Sequence, residues 1–308
     1  MDGRSSPVQV AALLSAMAAK GESVPEIVGA ARAMRDRSLH VQHELPAVLD
    51  VCGTGGDGAN TINVSTCVAF VAAAAGVPVA KHGNRAVSGK CGSADLLEAC
   101  GAEIDVHPEL AANMLAEIDF TFLFAQRYHP AMKNVAPVRR ELGIRTMFNV
   151  LGPLTNPARA THHLVGVAHK AHVRLMGEAL RALGVQRGAV VHASNGIDEI
   201  AGDSPTEIYT FDGDSVAWSY LDPKEFGINV PLAEIQADSL TSSVDQFRAI
   251  LIGKPVPAAK VVALNAALAL TVSGKTVDVA AGLALAFDVL QSGAAYDTFE
   301  RVKGYKAA

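Results

Sequence analysis

The chain contains the stretch Asp50-Val-Cys-Gly-Thr-Gly-Gly-Asp-Gly58, in which a glycine-rich turn directly follows a short apolar segment. The pattern of residues 45–52 predicts a strand before the turn, and Asn63-Val-Ser-Thr66 is typical of the start of a helix after it. Backbone N–H groups in a glycine turn and at a helix N-terminus bind phosphate oxygens. We therefore predict an anion site at this turn; a tight structural turn with ordinary helix-capping residues is the alternative.

A second polar cluster, Lys81-His-Gly-Asn-Arg85, follows the apolar stretch 77–80, for which we predict a strand. Two cations around Gly-Asn are unfavourable in a core. They suit a loop at the carboxyl ends of parallel strands, where ligands bind in α/β folds. Ser88-Gly-Lys90 extends this loop with further hydrogen-bond donors. The alternative is a solvated basic loop without a ligand.

Strand-like and helical segments alternate along most of the chain, which predicts an α/β fold with a mainly parallel central sheet flanked by helices. Two long helices rich in Ala and Leu, 258–272 and 277–293, are expected to close the chain. The expected strands span residues 45–52, 77–80, 102–106, 120–125, 164–168, 189–193 and 206–211.

The domain organisation follows from two predicted helices, 8–20 and 24–37, that precede the first strand. They predict a small N-terminal helical domain made of residues 1–44 with part of about 130–160. The remaining residues, 45–129 and 161–308, are expected to form the larger α/β domain.

The composition excludes several classes of protein. Of 308 residues, 50% are hydrophobic and 19% are charged, so the chain is not disordered over its length, and its net charge of −5 argues against a general nucleic-acid binder. The four cysteines form no C-x-x-C pair, which favours a reduced cytoplasmic location. No window offers about 18 uninterrupted apolar residues, so we expect no membrane span.

Two weaker motif matches are rejected on their context. Gly53, Gly55 and Gly58 satisfy the dinucleotide pattern G-x-G-x-x-G. That site requires an acid about 20 residues beyond the motif, at the end of the second strand, whereas this chain has Lys81-His82. Gly274-Lys-Thr276 suggests a P-loop, but the required upstream glycine is Ala269.

Charged side chains after later elements suggest further parts of a site. Asp198-Glu199 follows a predicted strand, and two such carboxylates bind Mg²⁺ together with phosphate oxygens; an acidic helix start is the alternative. Arg139, Arg140 and Arg145 flank the loop 149–157, where an arginine can clamp a carboxylate; surface arginines are the alternative. No nucleophile–base arrangement stands out, so no residue is assigned as acid or base.

Taken in order, the motifs resemble the anthranilate phosphoribosyltransferases over nearly the full length. The matching segments are Gly53-Thr-Gly-Gly-Asp57, Asn63-Val-Ser-Thr66, Lys81-His-Gly-Asn-Arg85, Gly92-Ser-Ala-Asp95, His129-Pro-Ala-Met132, Arg145-Thr-Met-Phe-Asn-Val-Leu-Gly-Pro-Leu-Thr-Asn-Pro157 and Gly196-Ile-Asp-Glu199. Each motif alone is weakly specific, whereas the ordered set is highly specific. The resemblance implies an enzyme of tryptophan biosynthesis that transfers a phosphoribosyl group from phosphoribosyl pyrophosphate to the amino group of anthranilate, with the active site at the hinge between the domains.

The resemblance also implies roles for individual residues. The residues expected to bind phosphoribosyl pyrophosphate are Gly53, Thr54, Gly55, Gly56, Asp57, Thr61, Asn63, Ser65, Thr66, Lys81, Ser88 and Gly89. Those expected to bind anthranilate are Gly53, His82, Asn84, Arg139 and Pro153. Ser65, Asp198 and Glu199 are expected to hold magnesium, with two Mg²⁺ ions accompanying the pyrophosphate.

A homodimer is the expected assembly, although most members of the family have roughly two more helices before the point where this chain begins. The expected partners are the two substrates, with no nucleic acid and no membrane.

Two rival functions stay open at this level. A pyrimidine nucleoside phosphorylase shares the fold plan and a similar glycine loop, but the 81–85 and 149–157 segments favour the transferase. A degenerate relative that binds nucleic acid would show a damaged glycine loop and a basic surface, and salt-sensitive nucleic-acid binding would support it.

Overall fold

The computed structural model describes residues 2–86 and 89–306, which build one central sheet. Its strands are β1 Leu49–Gly53, β2 Val79–Gly83, β3 Phe120–Phe124, β4 His162–Gly166, β5 Arg187–Ala193, β6 Thr206–Asp212 and β7 Ser215–Leu221. The spatial order is β3-β2-β1-β4-β5-β6-β7. Strands β1 to β5 are parallel, whereas β6 and β7 are antiparallel at one edge. The predicted fold class, a mainly parallel sheet flanked by helices, is confirmed.

Helices connect the strands and cover the sheet. They are α1 Pro7–Lys20, α2 Val24–Arg35, α3 Val64–Ala74, α4 Ser93–Ala99, α5 Pro108–Ile118, α6 Ala125–Tyr128, α7 Ala136–Leu142, α8 Ala171–Ala182, α9 Leu240–Leu251, α10 Pro257–Val272, α11 Val279–Gln291 and α12 Ala294–Gly304. The first two begin at capping boxes, Ser6 with Gln9 and Ser23 with Glu26. Such caps satisfy N–H groups that a helix leaves unpaired at its start, so they fix both helix boundaries.

The main core lies where α3 and α10 pack together behind the sheet. Phe70 of α3 stacks on Phe120 of β3 with ring centroids 4.3 Å apart. Phe247 and Phe299 meet the same ring edge-on, at 5.8 and 5.5 Å. Because α3 is buried along most of its length, its polar first turn is held rigidly against the ends of the strands.

A second hydrophobic cluster joins the N-terminal helices to the rest of the molecule. Leu14 of α1 and Ile27 of α2 share it with Leu154 and with Val173 and Leu180 of α8. The N-terminal helices therefore pack on α8 and on the segment before β4. The domain boundaries given above stay a prediction.

Several elements differ from the sequence predictions. Residues 102–106 form no strand: their apolar side chains alternate because they are buried in an extended connection between α4 and α5. Strand β7 was missed because its apolar residues Val216, Trp218 and Tyr220 are exposed at the edge of the sheet. Helix α9 was also missed, and α12 rather than α11 closes the described chain.

Within residues 2–86 and 89–306, no single helix has both the length and the apolar character needed to cross a bilayer. Helices α11 and α12 meet the criteria only as a pair, and they are bent by 64° at their junction.

Candidate functional site

The predicted site residues lie mainly at the carboxyl ends of three adjacent parallel strands. Gly53 ends β1, Gly83 ends β2 and Gly166 ends β4, with Gly53 and Gly166 directly paired. Beyond β1 the chain turns through Gly55 and Gly56, whose φ angles are +65° and +77°. L residues rarely adopt these angles, so glycine is required there. The turn is largely exposed, as a loop that receives an anion must be.

The acidic pair faces this glycine turn from the loop after β5. Gly55 N–H donates to Asp198 Oδ2 at 2.7 Å, and Ser65 N–H donates to Glu199 Oε1 at 3.3 Å. The three residues predicted to hold magnesium, Ser65, Asp198 and Glu199, are therefore brought together. Residues 194–200 form no helix, so the acidic helix start considered above is wrong.

The electrostatics of the pair fit a bound cation. Burial, then the nearby Asp57 charge, raises the pKa of Asp198 to about 6. Burial and Asp198 raise the pKa of Glu199 well above its usual range. One buried oxygen of Asp57 has no hydrogen-bond partner among the described residues. Three crowded carboxylates with a spare oxygen form an all-oxygen donor set that suits Mg²⁺.

Gly166 is a residue of the candidate site that the sequence did not predict. A Cβ atom built at this position would overlap the carbonyl oxygen of Asp198 and lie 2.5 Å from its carbonyl carbon. The carbonyl oxygen of Gly166 also accepts from Thr54 N–H at 2.9 Å. Gly166 therefore contacts both the acidic loop and the glycine turn and fixes their positions at the end of β4. The available signal was a glycine within an otherwise apolar strand pattern, which marks a close backbone approach.

Lys81 lies inside the sheet, which corrects the prediction that it belongs to an open loop. Strand β2 runs on to Gly83, and Lys81 is 1% exposed. Its ammonium donates to the carbonyl oxygen of Val51 at 2.6 Å and to Ser65 Oγ at 3.2 Å. The pattern of apolar residues did not indicate a buried strand position for Lys81. A buried cation is tolerated at such a position when hydrogen bonds satisfy it, as they do here beneath the candidate site. Contact between Lys81 and phosphate stays a prediction.

The other residues predicted to bind the donor surround the first turn of α3. Asn63 donates to the Cys91 carbonyl oxygen at 3.1 Å, which leaves its buried Oδ1 without a partner among the described residues. The buried hydroxyl of Thr66 is likewise unpartnered within that part of the chain. Thr61 and Gly89 lie on connecting segments at the same edge, and Ser88 lies outside the described residues. Unused acceptors and hydroxyls at a helix start suit an anionic, hydroxylated ligand.

Of the residues predicted to bind the acceptor, Arg139 has the clearest geometry. Its guanidinium carbon lies 5.2 Å from the centre of the Phe148 ring, and it forms no ion pair within the described chain. Partial burial lowers its pKa. Arg140 beside it is exposed. A half-buried arginine without a carboxylate partner can bind one from a ligand.

Asn84 and Pro153 differ in exposure. Asn84 is exposed beyond β2, and its Oδ1 accepts from Arg85 N–H at 2.8 Å. Pro153 is buried in the short 3-10 turn Gly152–Leu154. The carbonyl oxygen of Gly152 bonds to His82 Nδ1 at 3.0 Å, which places Pro153 next to the end of β2.

His82 is held from two sides by the protein itself. Its Nδ1 lies 3.0 Å from the Gly152 carbonyl oxygen and its Nε2 lies 3.2 Å from His129 Nε2. A carbonyl only accepts, so Nδ1 carries the proton of neutral His82 and His129 must donate to Nε2. Burial is the main cause that lowers the pKa of His82 to about 3 and that of His129 to about 4. Both nitrogens of His82 are therefore engaged by the protein, and neither is free to act as a base.

We expect the histidine pair to make the protein sensitive to acid. Because the folded pKa of His129 is depressed, its contribution to stability is complete above about pH 6.5 and is lost as pH falls toward 4. Relative to His129→Gln, the wild-type free energy of unfolding should drop by about 1.4 kcal/mol per pH unit in that window. Urea unfolding at pH 7.5 and pH 5.0 measures this; a difference that does not change with pH would contradict the neutral pair.

A separate buried group is structural. Potential ligand atoms of Asp50, Cys52 and His163 lie within 4.8 Å of one another. The two oxygens of Asp50, however, already accept from His82 N–H at 3.1 Å and from Asn156 at 2.8 Å. This carboxylate anchors the end of β2 to the segment before β4 and leaves little capacity for a metal ion.

Arg145 connects the glycine turn to the start of α8. It donates to the Gly56 carbonyl oxygen and contacts His169 Nε2. A pocket of about 240 Å³ lies beside it, lined in part by Ala18 and Thr54. The N-terminal helices therefore come close to the glycine turn, and both parts of the chain line this pocket.

Comparison with known proteins places nearly the whole chain in one family. Residues 45–296 match the α/β domain of the glycosyl transferase family, and residues 1–38 match its helical bundle domain. The anthranilate phosphoribosyltransferase of Synechococcus sp. (strain JA-3-3Ab) is 45% identical over 299 residues, which are 96% of this chain and 87% of that protein.

Solved structures agree with the sequence comparison. The crystal structure of anthranilate phosphoribosyltransferase from Thermus thermophilus superimposes with a TM-score of 0.92 at 44% identity, covering 98% of this chain and 90% of that one. The Saccharomyces cerevisiae enzyme, solved with phosphoribosyl pyrophosphate and Mg, gives a TM-score of 0.88 at 27% identity, covering 96% and 84%. That yeast enzyme has also been solved with 4-fluoroanthranilate.

Proposed function

The chain belongs to the anthranilate phosphoribosyltransferases of the glycosyl transferase family, and from this premise we propose which of its residues carry each part of the reaction. The enzyme transfers the 5-phosphoribosyl group of phosphoribosyl pyrophosphate to the amino group of anthranilate in tryptophan biosynthesis. The products are N-(5-phosphoribosyl)anthranilate and pyrophosphate. The observation that best supports our assignments is the acidic pair hydrogen-bonded to the glycine turn and to the first turn of α3.

The donor is held at the glycine turn. The exposed N–H of Gly56 and the side-chain hydroxyls of Ser65 and Thr66 in the first turn of α3 face diphosphate oxygens, because the Gly55 and Ser65 N–H groups already donate to Asp198 and Glu199. Lys81, buried beneath Ser65, keeps that hydroxyl oriented and adds positive potential below the site. Fixed dipoles aimed at a leaving group stabilise the charge that develops on it as the bond to ribose C1 breaks.

Magnesium fits the acidic pair. Asp198, Glu199 and Ser65 would hold the metal, and the spare oxygen of Asp57 extends the donor set, so that two Mg²⁺ ions can accompany the pyrophosphate. When bound, Mg²⁺ neutralises charge on the departing pyrophosphate. Without a cation the three carboxylates repel one another. Binding a cation relieves this repulsion, which is how the protein favours metal binding at this site.

The acceptor is positioned rather than activated by a base. Arg139 clamps the anthranilate carboxylate, while Asn84, His82 and Pro153 shape its approach to ribose C1. The aromatic amine is little protonated at neutral pH, so its lone pair is available, and the proton it loses on attack can pass to water or to pyrophosphate. Holding nucleophile and C1 together while excluding water is then the main requirement.

Replacing Arg139 should separate binding of the two substrates. In Arg139→Ala we expect the KM for anthranilate to rise about 10- to 100-fold, the cost of losing a charged hydrogen bond, while the KM for the donor changes less. The adjacent, exposed Arg140→Ala is the matched control and should stay within about twofold of wild type. Steady-state kinetics with each substrate varied measures both; equal effects on the two KM values would remove Arg139 from the acceptor site.

The nucleoside phosphorylase alternative makes an opposite prediction. Incubation with uridine and inorganic phosphate should release no uracil from the enzyme proposed here. Phosphorolysis at a rate comparable to anthranilate consumption would reverse the assignment.

A cytoplasmic homodimer completes the proposal. Four free cysteines support a reducing compartment, and Val8 and Leu13 on α1 are 77% and 58% exposed, which supports an apolar contact between subunits. Light scattering of the purified protein tests the assembly, and a monomer at micromolar concentration would contradict it.

A further inference from the structure

A cavity of about 310 Å³ lies at the amino ends of the strands, opposite the carboxyl ends that carry the glycine turn. Its walls are the end of α2, residues 159–160 and residues 183–185. The last two segments lead directly into β4 and β5, so the cavity is at the amino ends of these strands. The glycine turn and the acidic pair follow the carboxyl ends. The cavity is therefore separate from the site described above.

Three arginines converge on this cavity. Arg32, Arg35 and Arg159 line it together with a single acid, Asp36, and none of the four forms an ion pair within 4 Å in the described chain. Burial first, then the charges of Arg159 and Arg32, lowers the pKa of Arg35 to about 10. The three guanidinium groups therefore repel one another. Together with Asp36 they give the cavity a net charge of +2.

Helix capping accounts for two of the three arginines. Arg32 donates to the Ala182 carbonyl oxygen at 3.0 Å and Arg35 to the Leu183 carbonyl oxygen at 3.3 Å, where they stabilise the negative end of α8. Arg35 also donates to the Leu154 carbonyl oxygen at 2.7 Å. Each guanidinium still has unused N–H groups, because it carries five.

Arg159 has no such role. Its guanidinium makes no hydrogen bond to any part of the chain that the structure describes, and its backbone has a φ of +50°. A left-handed conformation is costly for arginine and is retained where the surrounding structure over-determines it, often at ligand sites. Arg159 thus adds an exposed guanidinium, without a hydrogen bond to the described residues, to a cavity lined by two other arginines.

We propose that this cavity binds a phosphate group, either inorganic phosphate or the phosphate of a small phosphorylated metabolite. A net charge of +2 matches a phosphate dianion better than a monocarboxylate, and guanidinium forks bind phosphate oxygens in pairs. A volume of about 310 Å³ leaves space for a small organic group attached to the phosphate. An occupant would link α2 to the segments that enter β4 and β5.

The test counts bound phosphates. Inorganic phosphate is titrated calorimetrically into wild type, Arg159→Asn and Lys260→Gln. Asparagine tolerates the left-handed backbone, so Arg159→Asn should fold normally, and Lys260 is an exposed cation without an ion pair in the described chain. We expect wild type and Lys260→Gln to bind one phosphate more than Arg159→Asn, or to bind it at least about tenfold tighter. Acetate should not compete.

Equal phosphate binding in all three proteins would overturn the proposal, as would competition by acetate at the same concentration. Turnover of Arg159→Asn without added phosphate should equal that of wild type, because the cavity lies away from the substrate site. To separate the two possible sources, ribose 5-phosphate replaces phosphate in a second titration: tighter binding than phosphate identifies a metabolite site, and weaker binding identifies a site for the free ion.

Discussion

The double substitution Asp198→Asn and Glu199→Gln is expected to lower turnover by roughly a thousandfold or more and to abolish its response to Mg²⁺. Both side chains keep their size and can still accept from Gly55 N–H and Ser65 N–H, so the geometry of the loop is preserved. What is lost is the negative charge that we propose holds the metal. The measurement is kcat as a function of Mg²⁺ concentration at saturating substrates.

A stability measurement distinguishes loss of the metal site from misfolding. Because burial and mutual repulsion raise the pKa values of Asp198 and Glu199, their charged forms destabilise the metal-free fold at neutral pH. Without metal, the double variant should therefore melt at or above the wild-type temperature. The exposed pair Asp212→Asn and Asp214→Asn has the same change in charge and should keep normal activity. Near-normal, metal-dependent turnover in the Asp198/Glu199 variant would remove these residues from the metal site.

Among glycine-to-alanine substitutions in this protein, Gly166→Ala should be the most damaging. The added carbon would occupy the space of the Asp198 carbonyl oxygen, so the acidic loop must move away from the end of β4. Overpacking against the backbone costs about 3 kcal/mol, since a rigid chain cannot rotate aside as a side chain can. We expect a lower free energy of unfolding by this amount and loss of most metal-dependent turnover.

Gly29→Ala is the matched control for that experiment. Gly29 lies within α2, where an added Cβ atom meets nothing within 4 Å. Alanine in a helix interior is favoured over glycine by up to about 1 kcal/mol, so this variant should be as stable as wild type or more stable. Urea unfolding and turnover of both variants provide the comparison. If Gly166→Ala matched Gly29→Ala in both measurements, the close approach of strand and acidic loop would be wrong.

What could be predicted from the sequence was local in origin. The glycine turn, the start of α3 and the acidic pair are each encoded within a few residues, because turn conformation and helix capping depend on neighbouring side chains. The parallel sheet followed from alternation of strands and helices. The assignment of Arg139 to the acceptor rests on the ordered set of short motifs and stays a prediction.

The parts that could not be predicted depend on contacts between distant segments. A side chain is excluded at Gly166 only because Asp198 crosses above it, and the environment of His82 depends on His129, 47 positions later in the chain. Lys81 is in a strand because β2 continues through polar residues that a pattern of apolar side chains does not include. Edge strand β7 escaped notice because its apolar face is exposed.

The most direct test of the account is the fluorescence of anthranilate over time with phosphoribosyl pyrophosphate, recorded with and without Mg²⁺ and repeated with Arg139→Ala at low anthranilate. We predict a loss of fluorescence that requires the metal and that slows in the variant at low but not at saturating anthranilate. No metal-dependent loss from folded wild-type protein, or an unchanged rate in the variant at low anthranilate, would contradict the proposed site.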